Sequence, residues 1–427
     1  MVMCVLGKDY REMEALLRDS IALRAFLEIE QVQSEGLPRF GILAEWVRKL
    51  PPGFLEQVNV AGLVQERGAK TLEMKLNTWR TDASCVESNI HHPTDSSLLR
   101  DAMRWMHRWL DRIRTELGVR CRMNETEIAY EQGQRIYLAI VKIRGVNEGH
   151  QRQRRKQYRK LLRYTQTLRE HFCRHRTKAQ EMGAFDQIED VIRYARFRAM
   201  LEEWERLEPL LDRSMEQARQ RVLRGKVVPN EDKLLSLWED HTQVIVRGKE
   251  NRPVEFGHKT TYWESAEGML VSGGIYPKGN PSESSVLAEE MEKMHKAGFR
   301  LEAITIDRGY WSPETEKLAG TICGDSAARI YCPQKGKRSP NRRALERSKE
   351  FAAAQRFRVG IEGTLSVLMR RHGLRRARLK KWAGFERHVQ MRMIGINLLR
   401  LVDYQKRQEW IAQAAEAAKA ATGAPAG

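Results

Sequence analysis

Long hydrophobic segments and organised cysteines are both missing from this chain of 427 residues. No stretch approaches the 18 or more consecutive apolar residues of a membrane-spanning helix, and the apolar start Met1–Leu6 is soon followed by Lys8 and Asp9. The six cysteines include no Cys-x-x-Cys pair, so the sequence indicates neither a zinc ribbon nor a disulfide framework. We therefore expect a cytoplasmic protein with free thiols.

Negative charge is also scarce relative to positive charge. The 75 Lys and Arg residues exceed the 56 Asp and Glu residues, which gives a formal net charge of +19. Such a surplus favours a polyanionic partner, either nucleic acid or an acidic membrane surface, and charge alone does not choose between them. With 41% hydrophobic residues the chain is able to build the cores of two or three domains, which argues against wholesale disorder.

The spacing of apolar residues predicts an α/β fold in four parts. Residues 1–70 have helical spacing, and β-like alternation starts at Leu72 and runs toward Asp82. Residues 96–240 form a basic, Pro-poor helical block, and β-like segments return after it. We therefore predict a sheet core made of 71–95 and 241–375, interrupted after its first strand by a helical insertion. The last part, 376–427, is predicted as a C-terminal helix and a disordered tail.

Individual elements follow from the same patterns. Thr94 or Asp95 is a candidate cap for a helix after Pro93. Further strands are predicted at 242–246, 254–263, 269–276, 301–306 and 327–331, and helices at 357–371 and around 389–401.

Basic residues concentrate in three segments. Residues 151–180, which include Arg154 and Arg155, hold eleven Lys or Arg against the single acid Glu170. A solvated helix face and a phosphate-contacting face both fit this pattern. The segment from Arg370 to Lys381, which includes Arg371, and the loop 335–343, which includes Arg338, are further candidates for DNA contact. Lys259, expected at a strand end, is a candidate phosphate contact.

Three carboxylates stand out by position. Asp82 and Asp307 are each expected at the end of a strand, where ligands collect in α/β sheets, and Glu362 lies in a predicted helix. A single Asp after a strand is more often a turn or helix cap, but Arg358 and Arg370 lie four residues before and eight after Glu362. Near one helix face, they would place cations beside a metal-bound phosphate of DNA. Clustered carboxylates repel each other unless divalent metal binds, and two Mg²⁺ ions about 3.5–4 Å apart serve phosphoryl transfer.

Several blocks in the chain resemble the DDE transposases of bacterial insertion sequences, in the branch usually labelled ISNCY. The resemblance rests on the segment 80–99 around Asp82 and is clearest in Asp-Arg-Gly-Tyr-Trp-Ser-Pro-Glu at 307–314 and Arg-Phe-Arg-Val-Gly-Ile-Glu-Gly-Thr at 356–364. Further blocks lie at 233–238, 241–242, 247–249 and 254–259, and together the blocks span roughly residues 70–400.

The resemblance implies a ribonuclease H-like core in which Asp82, Asp307 and Glu362 bind two Mg²⁺ ions, with Mn²⁺ as a substitute. It also implies that Arg358 is the Arg of a Tyr-x2-Arg-x3-Glu-x6-Lys signature, although Gln355 and Met369 stand where Tyr and Lys are expected. The implied partners are double-stranded DNA, as element ends and as target, and further copies of the chain in a homodimer or larger assembly, with no membrane partner.

Two alternatives remain beside a transposase that cuts element ends and joins the 3′-hydroxyl to target DNA. One is a catalytically decayed DNA-binding relic. The other is a ribonuclease H-like nuclease or resolvase.

Overall fold

The computed structural model describes residues 2–6, 8–29, 36–68, 74–120, 123–249, 252–318 and 328–421. The strands are β1 (Thr78–Glu87), β2 (Gln243–Lys249), β3 (Arg252–Ser265), β4 (Leu270–Ile275), β5 (Ala303–Thr305) and β6 (Arg329–Tyr331). The helices are α1 (Val2–Leu6), α2 (Tyr10–Asp19), α3 (Ile21–Phe26), α4 (Phe40–Lys49), α5 (Phe54–Gly68), α6 (Asp95–Leu117), α7 (Met123–Lys142), α8 (Glu148–Glu181), α9 (Val191–Ala218), α10 (Glu283–Lys296), α11 (Pro313–Leu318), α12 (Pro340–Arg347), α13 (Lys349–Arg370) and α14 (Lys381–Ala421).

The chain divides into two compact units. The first combines Met1–Asn89 with Ile245–Gly427 and is called the sheet unit, and the second, Ile90–Val244, is called the helical unit. No helix in the described ranges is long and apolar enough to cross a lipid bilayer.

Strand β1 lies inside a mixed sheet whose order is β2-β3-β1-β5-β6, with β4 also paired to β3. It runs antiparallel to β3 and parallel to β5, and β5 is in turn parallel to β6. Helices α6–α9 follow β1 in the chain before β2 begins. The predicted mixed α/β fold is therefore confirmed at this level.

Helices cover both faces of the sheet. Neighbouring residues of a strand point to opposite faces, and Trp263 packs with Leu287 of α10 while Tyr262 packs with Ile361 of α13. Phe385 of α14 lies in the same cluster as Ile361. Because Asp82 pairs with Tyr262 across the β1–β3 ladder, its side chain lies on the face that α13 covers.

Four long helices form the helical unit around an aromatic core. Trp204 of α9 stacks on Trp105 of α6 with ring centroids 5.8 Å apart and contacts Phe172 of α8 at 4.6 Å. The predicted cap of α6 is confirmed for Thr94, whose hydroxyl accepts a hydrogen bond from the Ser97 amide at 3.1 Å. Asp95 instead is buried and accepts two 2.9 Å bonds from Arg221.

Some predicted boundaries are wrong. Asp82 lies in the middle of β1, because β1 continues to pair with β3 as far as Glu87 and Gly257. The helix predicted from Phe357 already begins at Lys349, where the Ser348 hydroxyl caps it by accepting from the Phe351 amide at 3.2 Å. Leu72 and residue 327, which belong to predicted strands, lie outside the described residues.

The C-terminal part is more helical than the sequence predicts. The part predicted as a helix followed by a disordered tail is helical as far as Ala421, since α14 continues without a break. Part of the predicted basic loop 335–343 is also helical, because α12 begins at Pro340 behind the capping hydroxyl of Ser339.

Candidate active site

Asp82 lies in β1, and Asp307 follows the neighbouring parallel strand β5 by two residues. The β1–β5 ladder pairs Thr78 with Ala303 and Arg80 with Thr305, and the same offset carried two residues further brings Asp307 level with Asp82. Adjacent strands are about 4.7–4.9 Å apart, so the ladder delivers both aspartates to one place. This meeting of residues 225 positions apart follows from sheet topology alone.

Helix α13 supplies Arg358 and Glu362 on the same face of the sheet. Arg358 Nη2 lies 2.8 Å from Glu362 Oε1, one helical turn along. The Arg358 side chain is only 14% exposed, whereas that of Glu362 is 60% exposed. The arginine is thus fixed against the protein, and the glutamate reaches toward solvent from it.

The pKa of Asp82 is shifted by Asp307, Glu362 and Arg358. Burial, together with the negative charges of Asp307 and Glu362, raises the pKa of Asp82 to about 6. The amide of Ala83, which donates to Asp82 Oδ1 at 2.7 Å, and the cation of Arg358 act in the opposite direction on this pKa. Asp82 therefore interacts electrostatically with both other predicted metal ligands and with Arg358, the predicted phosphate-binding arginine.

The backbone after Asp307 is folded tightly around its carboxylate. Asp307 Oδ1 accepts a hydrogen bond from the Gly309 amide at 2.5 Å, which caps the short 3₁₀ turn Arg308–Tyr310. A Cβ on Gly309 would lie 2.7 Å from Asp307 Oδ1 and 3.1 Å from Glu283 Oε2. Only glycine fits here, because two carboxylates occupy the space of a side chain.

Glu283 is a neighbour of the site that the sequence did not predict, and Lys335 belongs to the predicted basic loop 335–343 but was not assigned to this site. Glu283 begins α10, and its carboxylate is paired with Lys259 at 2.7 Å. Lys335 Nζ donates to the carbonyl oxygen of Gly309 at 2.9 Å. Glu283 has no local sequence signal, since the tertiary fold brings both residues beside Gly309.

A cysteine lies beneath Asp307 but is not a nucleophile. Cys332 Sγ lies 3.4 Å from the carbonyl oxygen of Asp307, and burial raises the pKa of this thiol to about 12. The thiolate is the reactive form, so Cys332 stays protonated and unreactive near neutral pH. The nearby reactive groups are therefore carboxylates and cations.

The side chains at the site are of the type that binds Mg²⁺, but they are not grouped as a complete set of ligands. Carboxylate oxygens are the ligands that hard cations prefer, and the raised pKa of Asp82 shows that its negative charge lacks compensation. Within the described ranges, however, no three His, Cys, Asp or Glu side chains are grouped closely enough to hold a metal ion. Arg358 pairs with Oε1 of Glu362, which leaves Oε2 of this carboxylate as the oxygen that could serve as a ligand.

Lys259 does not occupy the position that the sequence predicts. It lies in the middle of β3, is 4% exposed, and donates to the carbonyl of Pro281 and to Glu283, both at 2.7 Å. Because β3 is paired on both sides and the ammonium group is enclosed, the fold lends no support to the predicted contact with phosphate, which stays a prediction.

The remaining predicted DNA contacts differ in accessibility. Arg370 and Arg371 are exposed at the end of α13. Arg338 pairs with Glu346 at 3.1 Å, and its side chain is 31% exposed.

In the helical unit, the two predicted arginines lie at the start of α8. Arg154 donates to the carbonyl oxygens of Ile143 and Gly145 at 3.0 and 3.2 Å, so it joins α8 to the end of α7. Arg155 is half-buried and lines a cavity of about 450 Å³ that also has Arg221, Lys226 and Lys233 in its wall.

Comparison of the chain with protein-family profiles, with curated proteins and with solved structures finds no match. Its function is therefore inferred from its own residues and their geometry.

Proposed function

We propose that this protein is a metal-dependent DNA transposase of the DDE type, with Asp82, Asp307 and Glu362 as its metal ligands. The observation that carries the proposal is the electrostatic coupling of Asp82 to Asp307, Glu362 and Arg358, which come from two strands and a helix. Perturbed carboxylates beside a cation are typical of functional sites, because folding does not otherwise favour such crowding.

Asp82, Asp307 and Glu362 would hold the Mg²⁺ ions, and Mn²⁺ would substitute for them. When bound, the metal supplies an activated water or hydroxyl and stabilises charge on the phosphate that is attacked. The protein itself contributes orientation and charge. The nearly buried guanidinium of Arg358 is able to bind a phosphate in two-pronged fashion, and Lys335 adds a second cation near Asp307.

The proposed substrate is double-stranded DNA, as element ends and as target. The net charge of +19 supports a polyanionic partner. Exposed arginines continue from the end of α13, at Arg370 and Arg371, to Arg375 and Arg376. The mixed sheet around β1 is compatible with the ribonuclease H-like core that the sequence resemblance implies. Pairing of two ends by a homodimer or larger assembly belongs to the same proposal.

The test is a cleavage and joining assay with linear DNA that carries the sequences flanking the gene. We expect cuts at the element ends and joined products with Mg²⁺ or Mn²⁺, and none in EDTA. Glu314→Gln is a matched control, because this exposed carboxylate follows Asp307 by seven residues but stands outside the site. Cleavage that persists in EDTA would contradict the proposal. Equal cleavage by an Asp307→Asn preparation would also contradict it, because the activity would then come from another site or from a contaminant.

A catalytically decayed DNA-binding relic is the second candidate. The pairing of Glu362 with Arg358, and the lack of a grouped metal-ligand set among the described side chains, favour it. Gln355 stands where the signature has Tyr, and it makes a structural contact, since its side-chain amide donates to the carbonyl oxygen of Tyr331 at 3.0 Å. A relic would bind DNA and leave it uncut under all metal conditions, whereas a nuclease or resolvase would cut branched DNA without preference for element ends.

A further inference from the structure

Arg80 connects the strand of Asp82 to the helix of Glu362. It precedes Asp82 by two residues and therefore points to the same face of the sheet. Its guanidinium lies 4.5 Å from the ring centroid of Phe357, and Nη1 donates to the Phe357 carbonyl oxygen on α13. One arginine thus holds the backbone and a side chain of the helix that carries Arg358 and Glu362.

Glu264 on β3 fixes Arg80 from the other side. Arg80 Nε and Nη2 both lie 2.8 Å from Glu264 Oε2, and the glutamate side chain is 1% exposed. The second oxygen, Oε1, accepts from Thr364 at 2.7 Å and from Arg400 at 2.9 Å. A fully hydrogen-bonded buried carboxylate thereby joins two strands to α13 and α14.

Gly360 leaves the space that the Arg80 guanidinium occupies. A Cβ at this position would overlap Arg80 Nη1 and lie 2.9 Å from Arg80 Cζ. Gly363, one turn further along the same helix, has no atom within 4 Å of its own Cβ position. Glycine in the middle of a helix is otherwise unfavourable, so Gly360 is explained by the arginine beneath it.

We propose that Arg80 is a positioning residue, locked by Glu264, that sets the height of α13 above β1 so that Arg358 and Glu362 face Asp82. Only a planar guanidinium has enough donors in one plane to bind Glu264 and the Phe357 carbonyl at the same time. The role of Arg80 in positioning a metal ligand rests on the proposed function. The contact between Arg80 and Gly360, which holds α13 on the sheet, does not depend on it.

The mechanical link is tested by thermal unfolding of matched glycine variants. Gly363→Ala should leave the melting temperature equal or higher, because alanine favours a helix. Gly360→Ala should lower it, and adding Arg80→Ala should remove that penalty because the overlapping guanidinium is gone. Equal effects of the two alanines, or a Gly360→Ala penalty that persists without Arg80, would overturn the proposal.

The positioning role is tested by Mn²⁺ binding, measured by calorimetry at a temperature where every variant is folded. Gly360→Ala and Arg80→Lys should bind Mn²⁺ about 10–100-fold more weakly than the unmodified protein, as expected when the support of a metal ligand is lost. Gly363→Ala should bind within about twofold of it. Mn²⁺ affinity unchanged in both Gly360→Ala and Arg80→Lys would overturn the positioning role.

The two proposals fail in different ways. If the unmodified protein binds no Mn²⁺ and cuts no DNA, the proposed function is wrong, and the positioning of a metal ligand is overturned with it. The melting temperatures of the Gly360 and Arg80 variants then still show whether Arg80 holds α13 on the sheet.

Discussion

The sheet unit and the helical unit both bury aromatic rings and carboxylates, but they connect the buried charges differently. In the sheet unit Glu264, Glu290 and Lys259 are each less than 5% exposed, and Glu264 joins two strands to two helices. In the helical unit Trp105 and Trp204 stack at the centre, and the buried carboxylate of Asp95 pairs with Arg221 at the start of α6. Burying charge costs free energy unless partners compensate it, whereas burying aromatic rings is directly favourable.

This difference teaches where to look for function. The helical unit is explained by its packing, since its rings fill a core. Glu264 is poorly explained as a source of stability, because a hydrophobic side chain of similar size would pack there at lower cost. Its contacts with Arg80, Thr364 and Arg400 make sense as a device that holds α13 in one position on the sheet.

The largest effect is expected from Asp307→Asn. This substitution should abolish strand cleavage and leave DNA affinity almost unchanged, because the lost charge belongs to metal binding and not to contacts between cations and phosphates. Cleavage and gel-shift assays with the same end-containing DNA measure both properties, with Glu314→Gln as the control. Cutting by the Asn variant at the normal rate would place the catalytic centre elsewhere.

The next effect separates the two units. Trp204→Ala removes a ring that is 1% exposed and should cost about 3–5 kcal/mol in the free energy of unfolding of the helical unit. Hydrogen exchange during urea unfolding should show lost protection in α6, α8 and α9. Protection of β1 and β3 should change little, and a uniform loss over both units would contradict their independence.

A smaller effect of opposite sign is expected at Asp82. Its pKa, raised from 3.8 to about 6, means that the native protein binds this proton more tightly than the unfolded chain. The free energy of unfolding therefore falls as pH rises from about 4 to about 6. Without metal, Asp82→Asn should be more stable than the unmodified protein by about 1–3 kcal/mol near pH 7.5, and this difference should vanish near pH 4.

Urea unfolding in EDTA at both pH values measures this difference, with Glu314→Gln as an exposed control. An Asn variant that is less stable near pH 7.5 would show that the Asp82 charge is compensated in the native protein. That result would remove the main electrostatic argument for a metal at this position.

The smallest effect concerns the surface of the helical unit. Lys156, Arg159 and Lys160 are exposed on α8, and if this helix follows a DNA duplex, each phosphate neutralised contributes about 0.9 to the salt dependence of log affinity. Reversing all three to Glu should flatten that slope by about two to three units. An unchanged slope would assign the contact to the Arg370–Lys381 segment and the 335–339 loop.

The sequence predicts the alternation of strands and helices well, because apolar spacing records which faces are buried. It does not predict that β1 extends past Asp82, since that extension depends on pairing with β3. Lys259 was misplaced for a related reason, because its partner Glu283 comes from another element. The sequence is sufficient to place Arg80 on the same face of the strand as Asp82, since side chains alternate with a period of two. Only the fold shows that Glu264 and Gly360 lie beside it.

The most direct test of the central claim, that Asp82, Asp307 and Glu362 form one metal site, is Mn²⁺ binding measured by calorimetry on the unmodified protein and on single Asp82→Asn, Asp307→Asn and Glu362→Gln variants. We predict two bound ions in the unmodified protein and an affinity at least tenfold weaker in each variant, with Glu314→Gln unchanged. An unmodified protein that binds no Mn²⁺, or that binds it equally well without these carboxylates, would contradict the account.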